Sequence, residues 1–249
     1  RDVTFGYDRS QPPILNHFSL KIKAGERIAL VGPSGCGKST VLSLVSGLYE
    51  PWDGEVLFDG KPRKAIDRMT FVNSVSVVNQ DVTLFEGTIE DNVKMWDESI
   101  EDFAMVLACS DAQIHYEIME RPGAYKGEVA ERGKNFSGGQ RQRIEIATAL
   151  AKEPTILLMD EGTSALDPEA ESKVMSHIYG MGITLITIAH RLETIAKCDQ
   201  IYVVEHGSVT QHGTHDELSQ MDGLYRSEIL MGPLEPYFWK PENDNQHAA

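Results

Sequence analysis

Gly32 to Thr40 reads Gly-Pro-Ser-Gly-Cys-Gly-Lys-Ser-Thr, which has the spacing Gly-x4-Gly-Lys-Ser/Thr of a phosphate-binding loop. Gly32, Gly35 and Gly37 permit backbone angles closed to other residues, so the loop through Pro33, Ser34 and Cys36 can turn its N–H groups inward around a polyphosphate. Lys38 is placed to bridge the β- and γ-phosphates as a point charge, and the Ser39 hydroxyl to fill one coordination position on Mg²⁺. The expected ligand is a nucleoside triphosphate. A glycine-rich turn with a chance lysine is the plainer reading, but it does not explain seven fixed features with correct flanks.

Those flanks are an apolar strand, Ile28 to Val31, and a helix from Lys38 through Thr40, Val41, Leu42, Leu44 and Val45, whose positive N-terminal end adds to the site. A second apolar run, Thr155 to Met159, reads as a buried parallel strand and ends in Asp160-Glu161. Side chains alternate along a strand, so the two carboxylates are expected to point apart and take two roles. Asp160 would hold Mg²⁺ through its water shell, and Glu161 would activate the attacking water. A third run, Ile183 to Ile188, delivers His190, a candidate γ-phosphate contact or simply a packed histidine. Ligands of open parallel sheets sit at the carboxyl ends of the strands, where these three runs converge.

Asn135-Phe-Ser-Gly-Gly-Gln140 opens a long helix through Ala151, with Ser137 as N-cap and Gln140 completing a capping box. Two glycines, Gly138 and Gly139, in a first helical turn cost about 1–2 kcal/mol against alanine. That cost makes sense if their N–H groups must approach an anion closely. A well-capped, glycine-rich helix start with no ligand is the competing reading. Asp167 is a natural N-cap for a helix headed by Pro168.

The remaining chain reads as support. Val3 to Tyr7 and Phe18, Leu20, Ile22 alternate like antiparallel strands, and Tyr7 at the end of the first is either an ordinary strand aromatic or a ring for stacking on adenine. Gly54 to Asp59, with the Asp59-Gly60 turn, reads as another hairpin piece. Ser74 to Val78 is a strand candidate ending in Asn79-Gln80. From Thr88 to about Met119 the pattern is helical, with Ile89, Val93 and Met95 or Trp96 marking one helix and Phe103, Val106 and Leu107 a second, their apolar residues forming a small core of their own. Gln200 to Glu205, the His206-Gly207 turn and Ser208-Val209 close the sheet.

The 249 residues suffice for one large α/β domain, and the formal charge of −15 argues against nucleic acid as a partner. Cys36, Cys109 and Cys198 show no metal or redox spacing, so a reducing cytosol is expected. No apolar run approaches the roughly 18–20 residues needed to span a bilayer, and the chain reads as soluble. Strand alternation begins directly after Arg1, as in a segment of something longer. Residues 231–249 read as a flexible tail.

Taken together these motifs resemble the nucleotide-binding domain of ATP-binding cassette (ABC) transporters, from Val3 to about Tyr225. Gly32–Thr40 is similar to Walker A, Gln80 to the Q-loop glutamine, Asn135–Gln140 to the signature, and Ile156–Asp160 to Walker B. Glu161 matches the catalytic glutamate, Ser164–Asp167 the D-loop, His190 the switch histidine, and Tyr7 the adenine-stacking aromatic. The resemblance implies an α/β fold with a P-loop NTPase (RecA-like) core, an antiparallel β subdomain and an inserted α-helical subdomain at about 81–150, within an ATPase domain spanning 1–230. It implies ATP and Mg²⁺ as cofactors, with Gln80 joining Ser39 and Asp160 around the metal and Gln80, Lys38 and His190 assisting Glu161. It also implies a head-to-tail homodimer that sandwiches two ATP molecules between Walker A of one chain and the signature, Ser137 to Gln140, and Asp167 of the other. Membrane-spanning domains of the same polypeptide would be the further partner. Glu131-Arg132-Gly133 resembles the loop by which exporters engage those domains. The stretch from Gln80 to Leu166 is similar to bacterial peptide or bacteriocin exporters, which would place the domain on the cytoplasmic face of a bacterial plasma membrane. A non-transport cassette ATPase acting on nucleic acid or ribosomes is the alternative. Two positions depart from the pattern: Asn135 stands where leucine is usual, and Gly162 where alanine is usual.

Overall fold

A computed structural model of the chain describes residues 1–230; the expected flexible tail at 231–249 lies outside the described residues. The chain opens with the antiparallel pair β1 (Val3–Phe5) and β2 (Leu15–Phe18). The strands are shorter than their alternation predicts: Tyr7 follows β1 rather than ending it, and Leu20 and Ile22 follow β2, half-buried against the core without strand pairing. Next come β3 (Arg27–Val31), the phosphate-loop candidate and α1 (Lys38–Val45). The expected hairpin is β4 (Leu57–Phe58) and β5 (Lys61–Pro62), turned by Asp59 and Gly60 at φ 49° and 76°, the left-handed pair that a tight two-residue hairpin requires.

α2 (Arg68–Ser74), capped by the Asp67 carboxylate on the Thr70 N–H, leads into β6 (Val75–Val78). After it the chain forms β7 (Gly87–Thr88), α3 (Ile89–Lys94), α4 (Asp102–Asp111), α5 (His115–Met119), β8 (Glu128–Val129), which pairs antiparallel with β7, and α6 (Gly138–Leu150). The last part holds β9 (Ile156–Asp160), α7 (Pro168–Gly180), β10 (Thr184–Ile188), α8 (Leu192–Ile195), β11 (Gln200–Glu205), β12 (Ser208–Gly213) and α9 (His215–Gln220).

The central sheet runs β12-β11-β3-β10-β9-β6, parallel except for β12 at one edge. Its middle strands are apolar at consecutive positions because both faces are covered. Alternate residues divide between two layers: Leu157, Met159 and Leu185 pack under the helices, whereas Leu158, Ile186 and Ile188 pack toward α1, β1 and β2. A third cluster joins Ala29, Val31, Ile201 and Val203 to Leu218 and Tyr225.

The helical stretch corrects two expectations. Its buried face is Met105, Ala108, Cys109 and Ala112, spaced three to four apart, while Phe103 is 75% and Leu107 46% exposed. Its core is also not its own: Ile89, Val93, Ile114 and Ile118 belong to the same cluster as Ile144, Leu157 and Met159, which packs the inserted helices onto the sheet through α6. The first helix stops at Lys94, and Met95 and Trp96, both at positive φ, lie beyond it and are exposed.

Candidate functional site

β3, β10 and β9 are neighbours in parallel register, so the phosphate loop, His190 and the Asp160-Glu161 pair emerge at one edge of the sheet. The loop geometry explains two of its glycines. Gly32 has φ 145°, and a Cβ there would stand 2.1 Å from the Val204 carbonyl oxygen; Gly37 has φ 108°, and its Cβ would meet Leu15 Cδ2 at 2.7 Å. Pro33, Ser34 and Gly35 form the exposed tip, and Gly37, with no side chain to cap α1, leaves the first amides of that helix without a side-chain acceptor.

Lys38 is buried and donates from Nζ to the carbonyls of Gly32 at 2.8 Å and Pro33 at 2.9 Å, which folds its ammonium over the loop. Cys36 is 8% exposed and packs with Leu15, Val41 and Val204, and its Sγ accepts a long contact from Lys38 Nζ at 3.8 Å, so the thiol is buried beside the ammonium. All three cysteines are free and buried, and burial pushes Cys109 and Cys198 up to about 12, which makes them inert thiols.

Asp160 closes β9 beside Ser39. Burial raises its carboxyl above the ordinary value of 3.8, and the Glu161 charge adds to this, while Ser39, Lys38 and His190 oppose it. Glu161 turns away by a different means from the strand alternation expected. β9 ends at Asp160, and Glu161 takes a left-handed φ of 50° while its N–H donates to the Ile188 carbonyl at 3.2 Å. Its carboxylate is then gripped from both sides, by Gln80 Nε2 at 2.9 Å on Oε2 and by His190 Nε2 at 2.7 Å on Oε1. Three residues far apart in the chain thus meet at one carboxylate.

Tyr7 is exposed, with its hydroxyl 3.2 Å from Thr40 Oγ1 and its ring edge-on to Phe5 and Tyr49. Asp167 caps α7, accepting from the N–H groups of Glu169 and Ala170, and these hold its carboxyl below the usual range.

The start of α6 stands apart. Ser137 and Gln140 form the expected capping box, Gln140 Nε2 donates to Glu117 at 2.7 Å, and among the described residues no hydrogen bond joins Ser137–Gln140 to the phosphate loop. Ser137 and Gly138 are exposed. The two departures from the family pattern have local causes. Asn135 ties the chain before the helix, donating from Nδ2 to the Glu128 carbonyl at 2.8 Å and accepting the Ala130 N–H on Oδ1 at 3.1 Å, bonds a leucine lacks. At Gly162 a Cβ would come within 2.8 Å of Val78 Cγ1 and 3.0 Å of Met159 Cε.

One residue at the site escaped the sequence reading. Gln142, 1% exposed on α6, donates to the Glu161 carbonyl at 3.3 Å and accepts the Ala165 N–H at 2.7 Å. Its signal was a polar residue four before Ile146 on the inward face, since a buried amide must find partners.

A glycine-rich loop leaving a parallel strand, with an acidic strand end beside it, defines a P-loop nucleoside triphosphatase. The profile of the family described as ABC transporter matches residues 15–164. An ABC multidrug transporter of Trichophyton rubrum is 42% identical over 229 residues, which cover 90% of this chain and 18% of that protein. One of Emericella nidulans is 42% identical over 240 residues, covering 94% and 18%. Among solved structures, a bacterial Atm1-family ABC exporter with ATP bound superposes with a TM-score of 0.86 at 40% identity, covering 90% of this chain and 40% of that one. The chain belongs to the ABC transporter family and is its ATP-binding, ATPase domain. It spans less than a fifth of the length of these fungal relatives, which are named as whole transporters.

Proposed function

We propose that this domain hydrolyses Mg-ATP at two sites shared between two copies, and that the closing and opening of the pair drives an exporter. The observation that carries the reading is the Glu161 carboxylate, held by Gln80 and His190 beside Asp160 and the phosphate loop. Lys38 and the loop amides neutralise the phosphates, Glu161 accepts the proton of the attacking water, and His190 and Gln80 keep its two oxygens oriented. Ser39, Asp160 and Gln80 offer only oxygen donors, which suit Mg²⁺. When bound, Mg²⁺ would neutralise charge on the β- and γ-phosphates.

The exposed Ser137 and Gly138 at the start of α6 favour completion of each site by a second copy, whose Ser137, Gly138, Gly139 and Gln140 would meet the γ-phosphate, with Asp167 alongside and Tyr7 of the first copy stacking on adenine. Membrane-spanning domains of the same polypeptide are the partner that such a motor moves, at the cytoplasmic face of a membrane. The exporter reading draws on Glu131–Gly133 and on the relatives named as multidrug transporters; no described helix is long and apolar enough to cross a membrane itself. Peptide as cargo and a bacterial plasma membrane rest only on the likeness of Gln80–Leu166 to peptide exporters.

Mixing two defective chains tests the shared site. Ser137→Arg alone should bind ATP near normally but neither dimerise nor hydrolyse. Mixed with Lys38→Ala, it should regain some hydrolysis, because one site of the mixed pair collects both lesions and leaves the other intact. Hydrolysis by Ser137→Arg as a monomer defeats the proposal.

A further inference from the structure

Behind the Glu161–His190 contact lies a second carboxylate to which no role has been given. Glu171, in the first turn of α7, is 5% exposed. Its Oε1 accepts the hydroxyls of Thr163 at 3.0 Å and Thr194 at 2.8 Å, and its Oε2 accepts Nη1 of Arg191. Arg191 reaches on with Nη2 to the Leu166 carbonyl at 2.8 Å. Thr163 is two residues after Glu161, and Arg191 directly follows His190, so both halves of the Glu161–His190 pair are backed by one node.

A buried ion pair is a poor way to gain stability, since apolar side chains of similar volume would serve as well. What four directed bonds provide and apolar packing does not is a fixed geometry among segments that are distant in the chain. Here those segments are the loop from Thr163 to Leu166, the strand end that carries His190, and α8. We infer that Glu171 and Arg191 are positioning residues that set the Glu161–His190 contact, and that through the grip of Arg191 on Leu166 the 163–166 loop and the histidine move as one unit. The inference rests on Glu161 being the base proposed above.

Two variants of the 249-residue chain test it. Arg191→Lys keeps the charge opposite Glu171 but replaces a two-pronged donor with a single point, so it cannot hold Glu171 and the Leu166 carbonyl in the same planar geometry. Thr194→Val removes one hydroxyl while keeping the side-chain shape and is the milder change should Arg191→Lys fold poorly. The expected result is a kcat for ATP hydrolysis lower by on the order of ten- to a hundredfold for Arg191→Lys and severalfold for Thr194→Val. KM and nucleotide Kd should stay within about twofold, because the phosphate loop is untouched. In a His190→Ala background Arg191→Lys should add little further loss, since both act through one contact. A well-folded Arg191→Lys chain with wild-type kcat, a kcat loss that only tracks the folded fraction, or full additivity with His190→Ala would each overturn the inference. Glu161→Gln is the control: if it still hydrolyses ATP, the assignment of the base has failed, whereas a dead Glu161→Gln beside a fully active Arg191→Lys defeats the positioning role alone.

Discussion

At the carboxyl ends of β3, β9 and β10 the candidate side chains are engaged with other parts of the same chain: Lys38 with loop carbonyls, Glu161 with Gln80 and His190, and the Glu161 carbonyl with Gln142. At the start of α6, among the described residues, the Ser137 side chain bonds within its own capping box, Gln140 adds one contact to Glu117, and Ser137 and Gly138 lie at the surface. The first region is built from distant segments cross-linked by hydrogen bonds. The second is local and turned outward, so it can serve a ligand only if something else brings the ligand to it. A site that must be completed and released in a cycle suits this division, because the cross-linked half keeps its geometry while the presented half approaches and withdraws.

The largest expected effect breaks the cross-linked half chemically while leaving its shape. Glu161→Gln preserves the size of the side chain but removes the carboxylate proposed as the base, so single-turnover hydrolysis should fall on the order of 10²–10⁴-fold. ATP affinity, measured by equilibrium binding, should change little, and ATP-bound dimer should accumulate.

Crowding the same half probes its stiffness. The added methyl of Gly162→Ala meets Val78 and Met159 below ordinary contact distance, and overpacking of this kind costs about 1–3 kcal/mol. Urea denaturation should register that loss, and an unchanged midpoint would mean that the loop after Glu161 yields freely. On the presented half, Asn135→Leu restores the family's usual residue yet removes two hydrogen bonds to backbone at Glu128 and Ala130. A stability loss of about 1–2 kcal/mol is expected. ATP affinity of the monomer should not move, since that region does not touch the phosphate loop; a weakened monomer affinity would erase the contrast between the two regions.

The smallest effect is one of sign. The Asp160 carboxyl is raised above 3.8 in the folded chain, so the native state holds its proton to higher pH than the unfolded state. Folding stability from this group therefore falls as pH rises through the window above 3.8, and at neutral pH the ionised side chain is a net cost. Asp160→Asn should raise the melting temperature of the nucleotide-free chain at pH 7, and the gain should shrink as pH drops toward 4. A lower melting temperature at pH 7 would show that the charge is stabilised in place. The same substitution should impair Mg-dependent hydrolysis, separating what the site needs from what the fold prefers.

The strand-loop-helix at Gly32–Thr40, the capping box at Ser137 and Gln140, and Asp167 before Pro168 were legible without coordinates, because each is a contact among residues a few positions apart whose types state the geometry. The three strands that converge on the site were legible as apolar runs for a related reason: burial on both faces leaves no polar positions to confuse the reading. Where one face is open, as on α4, several apolar residues compete for the inward side. There the period selected Phe103, Val106 and Leu107, of which only Val106 packs on the core, whereas packing against α6 buried Met105, Ala108 and Cys109.

The amino-acid sequence by itself determined the phosphate loop, the caps, the acidic strand end and the family, since backbone amides and neighbouring side chains carry those features wherever the chain is placed. The tertiary structure alone decided that Gln80 and His190 share the Glu161 carboxylate, that Gln142 and Glu171 stand behind it, that Cys36 is buried against Leu15 and Val204, and that a methyl group at residue 162 would crowd Val78 and Met159. Each of these depends on atoms brought together from tens of positions apart, and the strand order that brings them together is set by packing the sheet between its two layers rather than by any local preference.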